Sequence, residues 1–266
     1  MKTCQFRLWM FFLGFALLVA GCKTVPVTGR KQLNFVPAGQ VAQMSLAEFD
    51  KMKQEVPINK DPAVNALVQK VGRSIAAVAQ KDLPNAQWEF VVFESKEANA
   101  FCLPGGKVGV YTGILPYTKN EGGLATVLGH EIAHAAANHG AERISEQLAL
   151  QTGGQLVSAA LASKSAATQQ MVSTAYGLGA QLGRELPHSR KQESEADHIG
   201  LIYMAQAGYN PGEALEFWKR FSAAEGSSGA PWFLRTHPVT TQRIKDLEAE
   251  MPQAMAEFQK IGAGKK

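Results

Sequence analysis

The stretch Gly129-His130-Glu131-Ile132-Ala133-His134 reads H-E-x-x-H. Residues four apart on a helix lie one turn above each other on the same face. His130 and His134 would therefore aim two imidazoles at one point, the bite a tetrahedral zinc ion needs from its first two nitrogens. Glu131 lies about 100° around the helix from His130. There it stands beside a metal rather than on it, placed to take a proton from an activated water. The flanking Leu124, Ala125, Val127, Leu128, Ile132 and Ala133 make this helix apolar nearly all round, which predicts burial. An exposed polar helix with two unrelated histidines is the bland alternative. Those flanks argue against it, because buried imidazoles and a buried carboxylate need partners.

A catalytic zinc takes three protein ligands and keeps one position open. Downstream, Glu193-Ser194-Glu195-Ala196-Asp197-His198 is the best source of the third. Glu193 and Asp197 are four apart and share a helix face, while Glu195 points roughly the other way. In that arrangement Glu193 ligates, and Asp197, one turn deeper, accepts a hydrogen bond from the far nitrogen of a liganding ring and fixes its tautomer. His198 and Glu195 compete for the ligand role. A surface acidic cluster favoured by a helix dipole is the structural alternative. Spacing alone does not choose among them.

The elements that must position these groups follow an N-terminal segment of a different character. Lys2 and Arg7 precede an apolar run from Leu8 to Val19, too short to span a bilayer and of signal-peptide length. It ends in Val19-Ala20-Gly21-Cys22, which resembles the lipobox of bacterial lipoproteins, with Cys22 as the lipidated new N-terminus. Acyl chains on one residue suffice for stable anchoring. Lys23 stands where retention in the inner membrane usually requires Asp, so the expected location is the periplasmic face of the outer membrane. Residues 22–37, with two prolines and a glycine, read as a tether, and residues 38–261 as the metal-binding domain.

Removal of Lys2 and Arg7 with the signal brings 27 Lys and Arg against 23 Asp and Glu close to balance, which argues against a nucleic-acid partner. Cys102 is the only cysteine left once Cys4 departs and Cys22 is acylated, so no internal disulfide forms. Between Phe101 and Leu103 it reads as a small apolar packing residue.

Within the domain, Ala38–Glu55 shows helical periodicity, and Asp61-Pro62 caps a helix through Ala79. Trp88–Phe93 has strand character, and Ala98–Thr112 carries a second strand with a Pro104-Gly105-Gly106 turn inside it. Proline and glycine there suggest an edge strand over Gly105, Gly106, Lys107, Val108, Gly109 and Val110 that takes an extended substrate by backbone pairing. A plain hairpin without a substrate role is equally compatible. Residues 142–185, rich in Ala, Ser, Gln and Gly, read as helices broken near Gly153-Gly154 and Ser163-Lys164-Ser165. Such a region suits a mobile lid or a docking surface. Further amphipathic helices are expected over residues 211–226 and 238–261.

Four motifs in order carry a family resemblance over about residues 30–255. They are Gly129–His134, Asn99-Ala100-Phe101 with Leu103-Pro104-Gly105-Gly106, Ser189–Asp197, and Thr236-His237-Pro238 running on to Arg243. The chain resembles the zinc metallopeptidases of the CAAX prenyl protease, HtpX and Oma1 type, and among them the LoiP-like periplasmic lipoprotein metalloproteases. That resemblance implies a mostly helical α+β, gluzincin-like fold with a small sheet and an active-site edge strand. It also implies one Zn2+ per chain on His130, His134 and Glu193, Glu131 as general base, and Asp197 behind a ligand. His237, on a loop near the metal in relatives, is then placed to stabilise the oxyanion or to cap the resting zinc. The structural alternative for His237 is an N-terminal capping position, with Pro238 as the first residue of a helix through Leu247. Arg243 is a candidate partner of Asp197.

The expected function is a zinc-dependent endopeptidase for unfolded or misassembled envelope proteins, with outer-membrane assembly or quality-control proteins as partners. One alternative is a chaperone or assembly factor whose protease site is normally closed. Another is a structural zinc staple, with Cys102 or His237 closing the fourth position.

Overall fold

The computed structural model describes residues 22–180, 186–223 and 232–263. The signal reading of residues 1–21, and the ends of two expected helical stretches at 181–185 and 224–226, fall outside them.

The chain enters through a hairpin of β1 (Cys22–Thr24) and β2 (Lys31–Leu33), then the helices α1 (Ala38–Glu55) and α2 (Pro62–Ala79). Asp61 accepts from the backbone N–H groups of Ala63 and Val64, and Pro62 occupies the first turn, so the start of α2 falls where the capping signal put it. The strands β3 (Glu89–Phe93), β4 (Ala100–Leu103) and β5 (Lys107–Tyr111) form one sheet in the order β3-β5-β4, with β3 parallel and β4 antiparallel to β5. Alternation along each strand splits the sheet cleanly. Phe90, Val92, Val108, Val110 and Ala100 join the main core, while Phe93, Tyr111 and Phe101 meet Phe49 of α1 on the other face.

Two sequence expectations need correction here. β5 is the central strand of the sheet, so Lys107, Val108, Gly109 and Val110 do not form an edge. Gly105 and Gly106 belong to the turn, both with positive φ, at +91° and +85°. The outer strands are β3, bridged at Phe93 by Ile58, and β4. Proline and glycine mark a turn as readily as an edge, and local sequence does not say on which side β3 will pair. The segment 22–37, read as a tether, is largely folded. Val25, Gln32 and Asn34 are buried, and its proline and glycine shape the hairpin turn, where Gly29 has φ +69°. Turn and linker share the same residue signature.

After a short helix α3 (Leu115–Thr118), the remaining helices are α4 (Glu121–Ala136), α5 (His139–Leu161), α6 (Ala166–Ala180), α7 (Leu186–Gln206), α8 (Gly212–Ala223), α9 (Trp232–Thr236) and α10 (Thr241–Ala263). From Gly123 to Ala136 every residue of α4 is buried, as its all-round apolar pattern requires. α5 runs through Gly153-Gly154 without a break and stops before the expected turn at Ser163-Lys164-Ser165. Among the described residues, no helix is long and apolar enough to cross a membrane.

α4 and α7 cross with their backbones in near contact. A Cβ added at Gly200 would lie 2.9 Å from the backbone nitrogen of His130, and one at Gly129 would lie 3.0 Å from the Gly200 carbonyl oxygen. Two glycines at the crossing therefore let the H-E-x-x-H helix and the Glu193 helix approach closely enough to share one site.

Candidate metal centre and active site

At this crossing the predicted ligands converge. His130 Nε2 lies 3.1 Å from His134 Nε2 and 3.2 Å from Glu193 Oε2, and His134 Nε2 lies 3.3 Å from Glu193 Oε1. Four donors at tetrahedral corners, each about 2.0–2.1 Å from a zinc ion, stand about 3.3 Å apart. The observed separations match that edge length. His237 joins the same cluster, with Nδ1 3.2 Å from His130 Nε2 and 2.9 Å from Glu193 Oε2. All four residues can offer donor atoms within 4.8 Å of one another. His237 follows α9 directly, and α10 begins only at Thr241, with Thr240 Oγ1 accepting from the Arg243 N–H. The capping alternative for His237 thus gives way to Thr240.

Glu131 stands beside the cluster, as its offset around the helix predicts. Its Oε1 is buried, 3.4 Å from His237 Nε2, and has no hydrogen-bond partner. A carboxylate oxygen left unpaired in a buried position is costly unless another group meets it. Burial lifts the Glu131 carboxyl above its ordinary range, against the opposing pull of His237 and His130. The donor set and the orphaned oxygen together fit a metal ion with a proton acceptor at its side.

The histidines are held from behind by different groups. His130 Nδ1 donates to Asp197 Oδ1 at 2.9 Å, and Asp197 in turn receives two hydrogen bonds from Arg243, one of 2.8 Å from Nη2 to Oδ1. Arg243 stacks over Trp218 at 3.9 Å and donates to the backbone carbonyls of His237 and Pro238. It thereby ties the His237 loop to the carboxylate behind the site. Burial pulls the His130 ring down, but the bonds to Asp197 and Glu193 more than offset it and raise its pKa to about 9. In His134 burial wins, and the ring is pushed well below its ordinary value. Burial also opposes ionisation of Glu193, yet the His134, His130 and His237 rings around it hold it well below the carboxylate range.

The competing ligands are placed elsewhere. His198 pairs with Glu250 at 3.3 Å, and Glu195 faces His139, Thr28 and Arg30. Sequence reasoning missed the contribution of Arg30, Trp218 and the His139–Glu195 pair. His139 lies five residues beyond His134, a spacing that puts it near the site, but nothing local pointed to Arg30.

A cleft of about 680 Å³ opens at Glu131, His134 and His237, and is lined by Asn99–Gly105, including β4. Cys102 also lines it. Burial, and after it the Glu131 charge, push its thiol far up, so it is neither a nucleophile nor a member of the donor cluster.

The fold and this site together define a metallopeptidase of the H-E-x-x-H class. The chain belongs to peptidase family M48, whose family model matches residues 62–251. It is similar to mitochondrial metalloendopeptidase OMA1 of Schizosaccharomyces pombe, 36% identical over 232 residues that make up 86% of this chain and 66% of that protein. The corresponding protein of Saccharomyces cerevisiae is 30% identical over 270 residues, 90% of this chain and 74% of its own length. The beta-barrel assembly-enhancing protease of Escherichia coli is 27% identical over 227 residues, 84% of this chain but only 46% of that protein.

Proposed function

We propose that this chain is a zinc-dependent endopeptidase, lipid-anchored through Cys22 at the periplasmic face of a bacterial outer membrane, that hydrolyses unfolded or misassembled envelope proteins. The observation that carries the reading is the tetrahedral spacing of the His130, His134 and Glu193 donors beside the unpaired Glu131 oxygen. Zinc held there supplies Lewis acidity, polarising a carbonyl and acidifying water. Glu131 Oε1 takes the proton of the attacking water and returns it to the leaving amine. The buried Asp197–Arg243 pair holds the His130 ring in one tautomer throughout. His237, whose Nδ1 lies beside His130 Nε2 and Glu193 Oε2, would cap a metal held there or, with substrate bound, help stabilise the oxyanion.

The cleft supports this substrate class. Its wall is β4, an edge strand four residues long, and an edge pairs with extended chain rather than with folded surfaces. Support for the compartment comes from the Val19-Ala20-Gly21-Cys22 sequence with Lys23 after it, and from likeness to a bacterial assembly-enhancing protease. The presence of His237 within the donor cluster also favours a second reading, in which binding to assembly partners is the main work and hydrolysis is occasional.

One experiment in a bacterium with two membranes separates these readings. Wild type should degrade β-casein. Glu131→Gln should lose about 10²–10⁴-fold in rate while retaining zinc, and Cys22→Ser should leave the membrane fraction. Full hydrolysis by Glu131→Gln would sink the mechanism. Full client rescue by that same variant would favour the binding role, and an unchanged distribution of Cys22→Ser would remove the anchor.

A further inference from the structure

His134 has no carboxylate at its far ring nitrogen. Its Nδ1 lies 2.7 Å from Nδ1 of His139, and His139 Nε2 lies 3.0 Å from Glu195 Oε2. Glu195 is held by Arg30, whose Nε donates to Oε2 at 2.8 Å, and by the Thr28 hydroxyl. The other edge of the Arg30 guanidinium binds Glu142 at 2.6 and 2.8 Å. The two carboxylates are buried, with Glu142 and Glu195 at 2% and 5% side-chain exposure, and Arg30 is partly buried at 12%.

With both rings neutral, only one proton arrangement satisfies this chain of contacts. A carboxylate accepts and does not donate, so the proton of His139 sits on Nε2 and points at Glu195. His139 Nδ1 is then a bare lone pair, and the proton between the two Nδ1 atoms must belong to His134. His134 Nε2 is left unprotonated, facing His130 and Glu193.

We propose that Arg30, on the N-terminal hairpin, is a positioning residue of the metal site, acting through Glu195 and His139 to fix the tautomer and aim of His134. The hairpin next to the expected anchor is then a working part of the centre, and loosening it loosens the metal. This inference rests on the zinc site proposed above.

The test measures zinc affinity of the full chain by chelator competition, and reads the histidine ring nitrogens of the zinc-loaded, 15N-labelled protein by NMR. Loss of a group that orients a ligand typically costs 10–100-fold in metal affinity, so Arg30→Ala should fall within about that range. Arg30→Lys should recover part of the loss, and Arg30→Ala should add little on top of His139→Phe. In Arg30→Ala the His134 Nδ1–H signal should weaken while the His130 signal stays. A folded Arg30→Ala with affinity within about twofold of wild type and an unchanged His134 signal overturns the proposal, leaving the hairpin as packing alone. Should Arg30→Ala not fold, Thr28→Val removes a single bond to Glu195 and carries the same test with a smaller shift. A wild-type chain that binds no zinc overturns the metal site itself, which distinguishes the two failures.

Discussion

The two liganding histidines sit one turn apart on one helix, yet the groups behind them are built differently. His130 leans directly on Asp197, a carboxylate one turn from the ligand Glu193, and Arg243 from α10 secures it. His134 leans on a neutral ring, His139, and reaches its carboxylate and its arginine only through that ring. Both lines end on a guanidinium, buried in Arg243 and partly buried in Arg30. The direct line raises the ring's basicity, whereas His134, with an imidazole in the same place, is left to the effect of burial. The same task, holding Nε2 free for a metal, is thus met once by charge and once by tautomer alone.

Breaking the direct line should have the largest effect. Asp197→Ala removes the carboxylate that takes two bonds from a fully buried arginine, leaving Glu193 at 3.2 Å as its acid partner. Loss of one partner of a buried pair costs about 3–5 kcal/mol. Thermal unfolding of the metal-free chain should show that loss, with zinc affinity falling at least as far as in Arg30→Ala. A variant of unchanged melting temperature would mean that the two lines differ less than their geometry says.

An intermediate effect is expected from acid on the indirect line. Burial opposes ionisation of Glu195, but His139, Thr28 and Arg30 hold its pKa down at about 2, against an ordinary 4.5. A depressed carboxylate contributes stability that is fully present above its unfolded value and disappears as pH falls through the folded one. The gap in unfolding free energy between wild type and Glu195→Gln should therefore be on the order of 2 kcal/mol at neutral pH and narrow from about pH 4.5 toward pH 2. A gap that stays constant over that range would detach Glu195 from Arg30.

Cys102 sharpens the comparison as a residue in the same cleft that belongs to neither line. Cys102→Ala should change zinc affinity and peptidase rate by less than about twofold and stability by about 1 kcal/mol at most. Its thiol, held far above the ordinary thiol range, should resist alkylation at pH 8 in the folded chain. Loss of zinc in this variant would bring it into the metal centre after all.

Much of the direct line was legible because its parts lie within single helical turns. His130 with His134, and Glu193 with Asp197, share faces by spacing alone, and the apolar flanks of α4 announced its burial. What was not legible depends on distant partners. Arg30 meets Glu195 across 165 residues, and nothing near Arg30 distinguishes it from a surface arginine in a linker. The strand order failed for the same reason. β4 and β5 declare their hairpin through Pro104-Gly105-Gly106, but the parallel pairing of β3 to β5 is a tertiary event that moved the edge to β4.

By itself the amino-acid order determined the pair of histidines with Glu131 between them and the helix that carries them, because these follow from spacing over one or two turns. The family rested on the resemblance of four motifs spread along the chain. The tertiary structure decided that Glu193 arrives at the histidines, through the Gly129–Gly200 crossing, and which groups stand behind each ring. Helical periodicity says which side chains share a face, whereas the partner of that face is chosen by packing between elements far apart in the chain.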